Sequence, residues 1–229
     1  MSAMHTLPDP TPVFERYEVL VREADAIFAR VRDEFSESVT CRQGCSECCH
    51  ALFDLTLVEA AYLNSAFFDT YRSGPERSAI LERAHTADRH VHTIKRKAFK
   101  DNQAGKDVDA ILKNLAAERV RCPLLGKEDD CLLYDRRPIT CRLYGIPAAI
   151  GGKGRVCGKS AFSPGGRYPT VNLDRIHERL IACSKDLARH MGSGFAEIHT
   201  VLVPVSMALT TEYTAAYYGL DKRRGAGNG

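Results

Sequence analysis

The spacing of apolar residues along the chain predicts a mainly α-helical protein. Hydrophobic positions recur about every three or four residues over 13–35 and over 57–71, which is the period of a helix that buries one face. Thr56 and Glu59, at the start of the second segment, match a capping box, in which each side chain satisfies a free backbone N–H group. A third and more polar helix is predicted over 76–99.

Further helices are predicted in the second half of the chain. They cover 107–118, 171–191 and 205–218, and the first of them has apolar side chains, including Val108 and Leu112, that we expect to face inward. The pattern therefore predicts helices before and after a central stretch, 119–160, in which no long helix is expected.

Prolines and glycines punctuate that central stretch, 119–160, so only short elements are predicted there, a strand near 131–134 and a helix near 139–143. Such a segment has little core of its own, and a bound metal can hold it in place. The predicted fold is a helical domain with a loop-rich, cysteine-ligated metal-binding segment. The predicted organisation is a flexible lead-in at 1–12, a single helical domain at 13–220 that contains a cysteine-cluster module at about 38–160, and a disordered tail at 221–229.

Composition and charge limit the classes of function that we expect for this protein. A chain of 229 residues can bury a core without disulfide staples, and nine cysteines are an odd number that a full disulfide framework would not use up. No run of about 18 apolar residues is present and the N-terminus lacks a signal-peptide pattern, so we expect a cytoplasmic protein with no membrane segment. The net charge of +3 is mild. The expected partner is therefore an unidentified protein or small molecule rather than nucleic acid.

Eight of the cysteines form two series of candidate metal ligands. The first series is Cys41, Cys45, Cys48 and Cys49, and the second is Cys122, Cys131, Cys141 and Cys157. Clustered thiols in a reducing compartment are typical of metal sites, and thiolate suits zinc, copper(I) and iron–sulfur clusters. In an extended segment Cys48 and Cys49 would face opposite sides, whereas in a helical turn the first series would share an arc of roughly 100°. The ninth, Cys183, is predicted to be a buried small residue.

The cysteine spacing resembles that of the CxxCxxCC family, the YkgJ-like proteins, which are described as zinc- or iron-chelating and in some cases as Fe–S oxidoreductases. The resemblance rests on Cys41-x3-Cys45-x2-Cys48-Cys49, on Cys122-Pro123-Leu124-Leu125 and on the run 131–145. It covers roughly 38–160 and implies that all eight cysteines of the two series are metal ligands, with Cys157 as the eighth. A flagellin lysine methylase carries a similar cluster, so the resemblance implies a module that also occurs in enzymes.

Arginines next to the cysteines are candidates for interacting with a metal–thiolate centre. Arg136 and Arg142 lie in segments that are habitual in the family. The resemblance implies that these two neutralise the negative charge of a metal–thiolate centre and donate hydrogen bonds to sulfur.

The sequence leaves two functions open. One is a redox or catalytic accessory with an iron–sulfur cluster, a class that includes Fe–S oxidoreductases, and the other is a zinc-braced structural or protein-interaction module without redox activity. Both use tetrahedral sulfur ligands, so the spacing does not separate them. Ligands spread over about 115 residues, with no evident nucleic-acid surface, favour iron–sulfur over zinc. No catalytic residue is assigned.

Overall fold

The computed structural model describes residues 6–163 and 165–220, and within them the chain is mainly α-helical, as predicted. The described residues form seven α-helices. They are α1 (Thr11–Glu34), α2 (Leu57–Thr70), α3 (Pro75–Gln103), α4 (Val108–Ala117), α5 (Ile139–Leu143), α6 (Leu173–His190) and α7 (Val205–Thr210). No helix in these residues is both long enough and apolar enough to cross a bilayer.

Five short strands form two small sheets. In one sheet β1 (Asp54–Thr56) pairs antiparallel with β5 (Leu202–Pro204). In the other, β2 (Ala148–Ile150) lies between β3 (Lys153–Arg155), to which it is antiparallel, and β4 (Val171–Asn172), to which it is parallel. The sheets therefore join parts of the chain that are far apart in sequence.

The start of α2 confirms the predicted capping box. The backbone N–H and the hydroxyl of Thr56 donate to Oε2 of Glu59 at 3.2 Å and 3.0 Å. In the same turn, the N–H of Val58 donates to the hydroxyl of Ser184 on α6 at 3.1 Å. Because Glu59 and Ser184 are both buried, these bonds fix α2 against α6 inside the protein.

Two main hydrophobic clusters organise the helices. The larger cluster packs α1 against α2, α5 and α6, with Tyr17, Val58, Ile139 and Leu187 among its fully buried residues. The second cluster packs α2 against α3 and α7 and includes Phe67 and other residues of these helices. Because α5 lies in the larger cluster, the short helix that carries Cys141 is part of the core and not of a surface loop.

Several element boundaries differ from the prediction. Helix α3 continues to Gln103 instead of ending at 99, because no glycine or proline interrupts it before Gly105. Helix α6 begins at Leu173 rather than at 171, because Val171 is used for strand pairing and the side chain of Asn172 caps the helix by accepting from the N–H of Arg175 at 3.1 Å.

Other predictions were wrong. The helix predicted over 205–218 ends at Thr210. No strand forms at 131–134, where Cys131 makes only an isolated bridge to Leu125. Val108 and Leu112 of α4 do not face inward and are 56% and 53% exposed, because α4 packs on α3 along a narrower stripe.

Both ends of the predicted domain organisation fall partly outside the described residues. Helix α1 begins at Thr11, so the last two residues of the lead-in predicted at 1–12 are helical. Residues 1–5 and the tail predicted to be disordered at 221–229 lie outside the described residues.

Candidate metal centre

The first cysteine series lies on a loop that ends in a short 3₁₀ turn. Gly44, with a φ of +82°, lets the chain reverse just before Cys45. The 3₁₀ turn Glu47–His50 then carries Cys48 and Cys49. Successive residues of a 3₁₀ helix are about 120° apart, so these adjacent thiols point in different directions and can serve different sites.

Main-chain hydrogen bonds hold two members of the second series beside the first. The N–H of Cys122 donates to the carbonyl of Cys49 at 2.7 Å. The chain then turns back, with the N–H of Leu125 donating to the carbonyl of Cys122 at 3.1 Å, and the bridge between Leu125 and Cys131 closes the turn. Cys122 and Cys131 are thereby brought together at the edge of the first cysteine loop.

Cys141 is positioned by the buried start of α5. The first N–H of this helix, that of Ile139, donates to Oε1 of Glu59 at 3.1 Å. Burial raises the pKa of the Glu59 carboxyl, and the hydrogen bonds from Thr56 and Ile139 act in the opposite direction. A carboxylate near the N-terminus of a helix is also favoured by the helix dipole.

Glu47 links the first series to the segments of Cys122 and Cys157. Its carboxylate forms an ion pair with Arg119, and it lies 3.3 Å from Nζ of Lys159. Hydrogen bonds from Arg119 and then from Lys159 hold the pKa of Glu47 below its ordinary value. The side chain of Glu47 is only 13% exposed, so this contact is not a solvent-exposed surface ion pair. It joins three chain segments that carry cysteines, and we call it the clamp at Glu47.

The interactions among the eight thiols fall into two groups that share Cys48. The first group contains Cys41, Cys45, Cys48 and Cys157, and the second contains Cys49, Cys122, Cys131 and Cys141, each of which also interacts with Cys48. In the first group, Cys41 interacts electrostatically with each of its other three members. In the second group, Cys49 and Cys141 each interact with Cys122 and Cys131, and both also hydrogen bond to Cys48.

The pKa values of the clustered thiols differ in direction from one cysteine to another. Hydrogen bonds from Cys141 and then from Cys49 lower the pKa of Cys48 to about 3, and the same two bonds raise the pKa values of Cys49 and Cys141. Burial raises the pKa of Cys41 to about 11 and that of Cys122 to about 12. Most of the thiols are therefore protonated without a metal, and metal binding must release protons.

Cavities border the thiols on more than one side. An apolar cavity of about 50 Å³ is lined by five of them and by side chains such as Leu52, Leu63 and Leu133. The five are Cys48, Cys49, Cys122, Cys131 and Cys141. Two further cavities, of about 310 Å³ and 430 Å³, both contact Cys45 and Cys48. Cys48 lines all three cavities, which places it at the centre of the cluster.

Gly145 is a close neighbour of the first group. Its φ is +104°, and a Cβ atom added there would lie 2.3 Å from Sγ of Cys41. The thiol of Cys41 also donates a hydrogen bond to the carbonyl of Tyr144 at 3.5 Å. The turn after α5 therefore requires a glycine both for its backbone conformation and to leave room for a cysteine sulfur.

Cys183 lies apart from the other eight cysteines. It is half-buried on α6, not fully buried as predicted, and it packs against the larger hydrophobic cluster. Burial raises the pKa of its thiol, and its electrostatic neighbours are Asp186, Arg16 and Arg179 rather than another cysteine. This placement agrees with its exclusion from the ligand set.

The structure places Arg136 on the helix side of the cluster. Its guanidinium donates to Oε1 of Glu18 at 3.1 Å and to the hydroxyl of Tyr62, and it stacks over the Tyr62 ring at 5.4 Å. Its hydrogen bonds in the described residues therefore go to α1 and α2, and the predicted bond from Arg136 to a sulfur does not form.

Arg142 is buried, and its hydrogen-bond partners differ from those of Arg136. Its Nη1 donates to both carboxylate oxygens of Asp25 on α1, at 2.9 Å and 2.6 Å. Its Nε and Nη2 donate to the carbonyls of Arg137 and Asp135 at 2.8 Å and 2.5 Å. These bonds shape the turn before α5, and the predicted hydrogen bond from Arg142 to sulfur is likewise not found among the described residues.

Arg137 acts electrostatically on two of the clustered thiols. Its charge lowers the pKa values of Cys48 and Cys131, and its side chain lines all three cavities around the cluster. It stacks on the Tyr134 ring, 3.5 Å from the centroid, and donates to the Tyr134 carbonyl at 2.9 Å. A Tyr-x-x-Arg-Pro pattern counted along the sequence falls on Tyr134, Arg137 and Pro138, so the sequence did carry a signal for this residue.

The donor set fits a thiophilic metal, although the thiols are not yet arranged around one. Within 6–163 and 165–220, no three His, Cys, Asp or Glu side chains stand in positions that could hold a metal ion. Hydrogen bonds join Cys48 to Cys49 and to Cys141, and Cys41 to Cys45. His50 does not join them, because its Nδ1 donates to the carbonyl of Ser46 at 3.0 Å.

Together the fold and the site define a mainly helical protein in which five chain segments bring eight thiols into one cluster. The chain belongs to the CxxCxxCC family: residues 40–158, just over half of its length, match the family model, which is described as a putative zinc- or iron-chelating domain. The resemblance drawn from the cysteine spacing is thereby confirmed. No curated protein and no solved structure matched the chain.

Proposed function

We propose that the protein holds metal through all eight clustered cysteines, as two adjacent four-thiolate sites. The observation that supports this proposal is that the thiol interactions fall into two groups that share Cys48, and assigning Cys48 to the first group gives each site four ligands. Four thiolates complete a tetrahedral zinc site and equally ligate one iron–sulfur cluster. The clamp at Glu47 and the cap at Glu59 hold the contributing segments in place for either metal.

We favour an iron–sulfur centre that serves as a redox or catalytic accessory. The supporting feature is the open space beside Cys45 and Cys48, since cavities of about 310 Å³ and 430 Å³ reach these thiols. A structural zinc site is closed, with all four positions taken and no need for such space, whereas a cluster occupies volume and exchanges electrons or ligands with its surroundings. When bound, the cluster would supply electron transfer or an iron for a substrate to bind.

The chain's own residues would tune such a centre. Arg137 places a positive charge beside Cys48 and Cys131, which stabilises thiolate there. The reducing cytoplasm is the compartment that this proposal requires, because the ligands must remain thiols until they bind metal.

The second candidate is a zinc-braced module that presents a surface to a partner protein. It is favoured by the placement of Cys122, Cys131 and Cys157 in segments with little regular structure. Metal bound there would cross-link loops that otherwise have few contacts of their own.

The test is metal and sulfide analysis of the full chain, expressed and purified without oxygen in medium that supplies both iron and zinc. Iron with acid-labile sulfide, a brown colour and bleaching by dithionite are the results expected of an iron–sulfur centre. Colourless protein with zinc in place of iron would instead support the second candidate, the zinc-braced module. A protein that holds neither metal in stoichiometric amount would overturn both.

A further inference from the structure

A broad, positively charged groove lies on the outer side of α3. It has a volume of about 690 Å³ and lies between α3 and the segment that leads to Cys122. This volume is in the range of sites that bind small molecules, about 300–1,000 Å³. Cys122 lines both the groove and the apolar cavity of the cluster, so the groove reaches the edge of the candidate metal centre.

Positive charge dominates the walls of the groove. Arg83 and Arg89 stand on the α3 wall and Arg121 on the opposite wall, while Glu82 is the one acidic residue among those that line it. Three guanidinium charges against one carboxylate leave a formal charge of +2, before any contribution from His85 and His90, which also line the groove.

None of these three arginines forms an ion pair within the described residues. Arg83 donates from Nε to the carbonyl of Pro123 at 3.1 Å, and Arg121 donates from Nη2 to that of Gly126 at 2.8 Å. These bonds orient the two side chains but do not neutralise them. Arg89 has only a hydrogen bond to the hydroxyl of Thr86, at 3.1 Å.

Three other arginines near the cluster behave differently, because Arg119, Arg136 and Arg142 each form an ion pair with a carboxylate. The groove therefore gathers guanidinium groups that are oriented by hydrogen bonds but are not neutralised by ion pairs in the described residues. Arginine presents a planar set of N–H donors that matches carboxylate and phosphate groups, often with two bonds at once.

We propose that this groove binds a small molecule with two negative charges, carried by a phosphate group or by two carboxylates. Two charges match the formal charge of the groove, and cationic donors line both of its walls. Nucleic acid is a poorer match, because single strands stack their bases on aromatic rings and no Phe, Tyr or Trp lines the groove. The bound anion lies beside Cys122, so it is placed as a ligand or substrate of the neighbouring centre.

The test uses the metal-loaded full chain and isothermal titration calorimetry at constant ionic strength, with inorganic phosphate and succinate as separate probes and acetate as the monovalent control. We expect saturable one-to-one binding of phosphate or succinate, and the difference between them tells phosphate from dicarboxylate chemistry. Arg89→Gln should weaken that binding about tenfold, which is the loss expected for one charge-assisted hydrogen bond.

Arg96→Gln is the matched control, because Arg96 is exposed on the same helix but does not line the groove. It should leave the affinity unchanged. Arg121→Gln is a second groove variant, and metal content together with circular dichroism shows whether it remains folded. The proposal is overturned if neither dianion saturates the wild-type protein, or if Arg96→Gln and Arg89→Gln weaken binding equally. Because this assay measures anion binding, it can succeed even if the proposed metal is wrong.

Discussion

The carboxylate of Glu59 accepts a hydrogen bond from the backbone N–H of Ile139 at 3.1 Å, across eighty positions of the sequence. The same side chain caps the start of α2 through Thr56. One buried residue thus fixes the first turns of two helices, and the second of them carries Cys141. The position of a candidate ligand depends on a capping box far from it in sequence.

Replacing Glu59 by Gln should therefore destabilise the protein. The amide group has only one acceptor oxygen, so its NH₂ must face either the N–H of Thr56 or that of Ile139. The expected loss in the free energy of unfolding is about 1–3 kcal/mol, the cost of leaving a buried donor unsatisfied. Urea unfolding of the metal-loaded protein measures it, with Glu178→Gln on the exposed face of α6 as the control. Equal stability of the two variants would contradict the dual role of Glu59.

Glu47→Gln should loosen the metal centre without removing a ligand. The change abolishes the ion pairs with Arg119 and Lys159, which tie the Cys122 and Cys157 segments to the first series. We expect metal to transfer to a competing chelator about tenfold more readily, the lower end of the effect seen when groups that support metal ligands are changed. Glu37→Gln, an exposed change close by in sequence, should match the wild type. If both variants release metal at the wild-type rate, the clamp has no part in metal retention.

Cysteine variants should separate into three classes. Cys48→Ser removes the thiol that both groups contact and should deplete metal from both sites. Cys157→Ser affects one group and should lower the bound metal by about half, since each site uses four ligands. Cys183→Ser should keep the full metal content and cost about 1 kcal/mol or less of stability. Metal analysis of the three purified variants decides this, and an empty site in Cys183→Ser would refute the assignment of eight ligands.

Metal removal should open particular loops rather than the whole central region. Residues 127–130 and 150–156 are exposed, whereas α5 is packed in the larger hydrophobic cluster. After chelation we expect trypsin to cut first in these two exposed segments, while α1 resists. Mass spectrometry of the early fragments identifies the cut sites. A digestion pattern that does not change on chelation would show that the loops do not depend on metal.

If the centre contains iron and sulfur, Arg137→Gln should make it harder to reduce. Loss of the positive charge beside Cys48 and Cys131 disfavours the more negative reduced state, so the potential should fall while the cluster stays bound. Arg142→Gln is the informative comparison. Its charge is already paired with Asp25, so it should reduce stability and leave the potential nearly unchanged. Anaerobic redox titrations of the two variants should show the larger fall in potential for Arg137→Gln, and a larger fall for Arg142→Gln would support the role predicted for Arg142 from the sequence.

Features that depend on neighbouring residues were predictable from the sequence. The helix predicted over 13–35 is observed at Thr11–Glu34, and the pairing of Thr56 with Glu59 forms as expected. Both follow from interactions within a few residues, namely helical periodicity and a capping box. The eight cysteines could be selected for the same reason, because their spacing is itself the family motif.

Features that depend on side-chain direction were harder to predict, although the Tyr-x-x-Arg-Pro pattern did point to Arg137. Arg136, Arg137 and Arg142 all lie close to cysteines in sequence, yet only Arg137 has a charge that acts on the thiols without an acidic partner. The outcome is decided by the carboxylates of Glu18 and Asp25, which α1 presents from more than 100 positions away. The exposure of Val108 and Leu112 has a similar origin, because it depends on how much of α4 its neighbours cover.

The distance in sequence between the first and last cysteine of the cluster also sets an order of events during synthesis. Cys41 and Cys157 are 116 positions apart, the difference between their residue numbers. At bacterial or eukaryotic elongation rates the ribosome takes on the order of ten seconds to cover that span. A centre that needs both ends cannot be complete before Cys157 has left the exit tunnel. Metal delivered earlier would meet an incomplete set of ligands, at first only the four thiols of the first loop, so correct loading must wait until Cys157 is exposed.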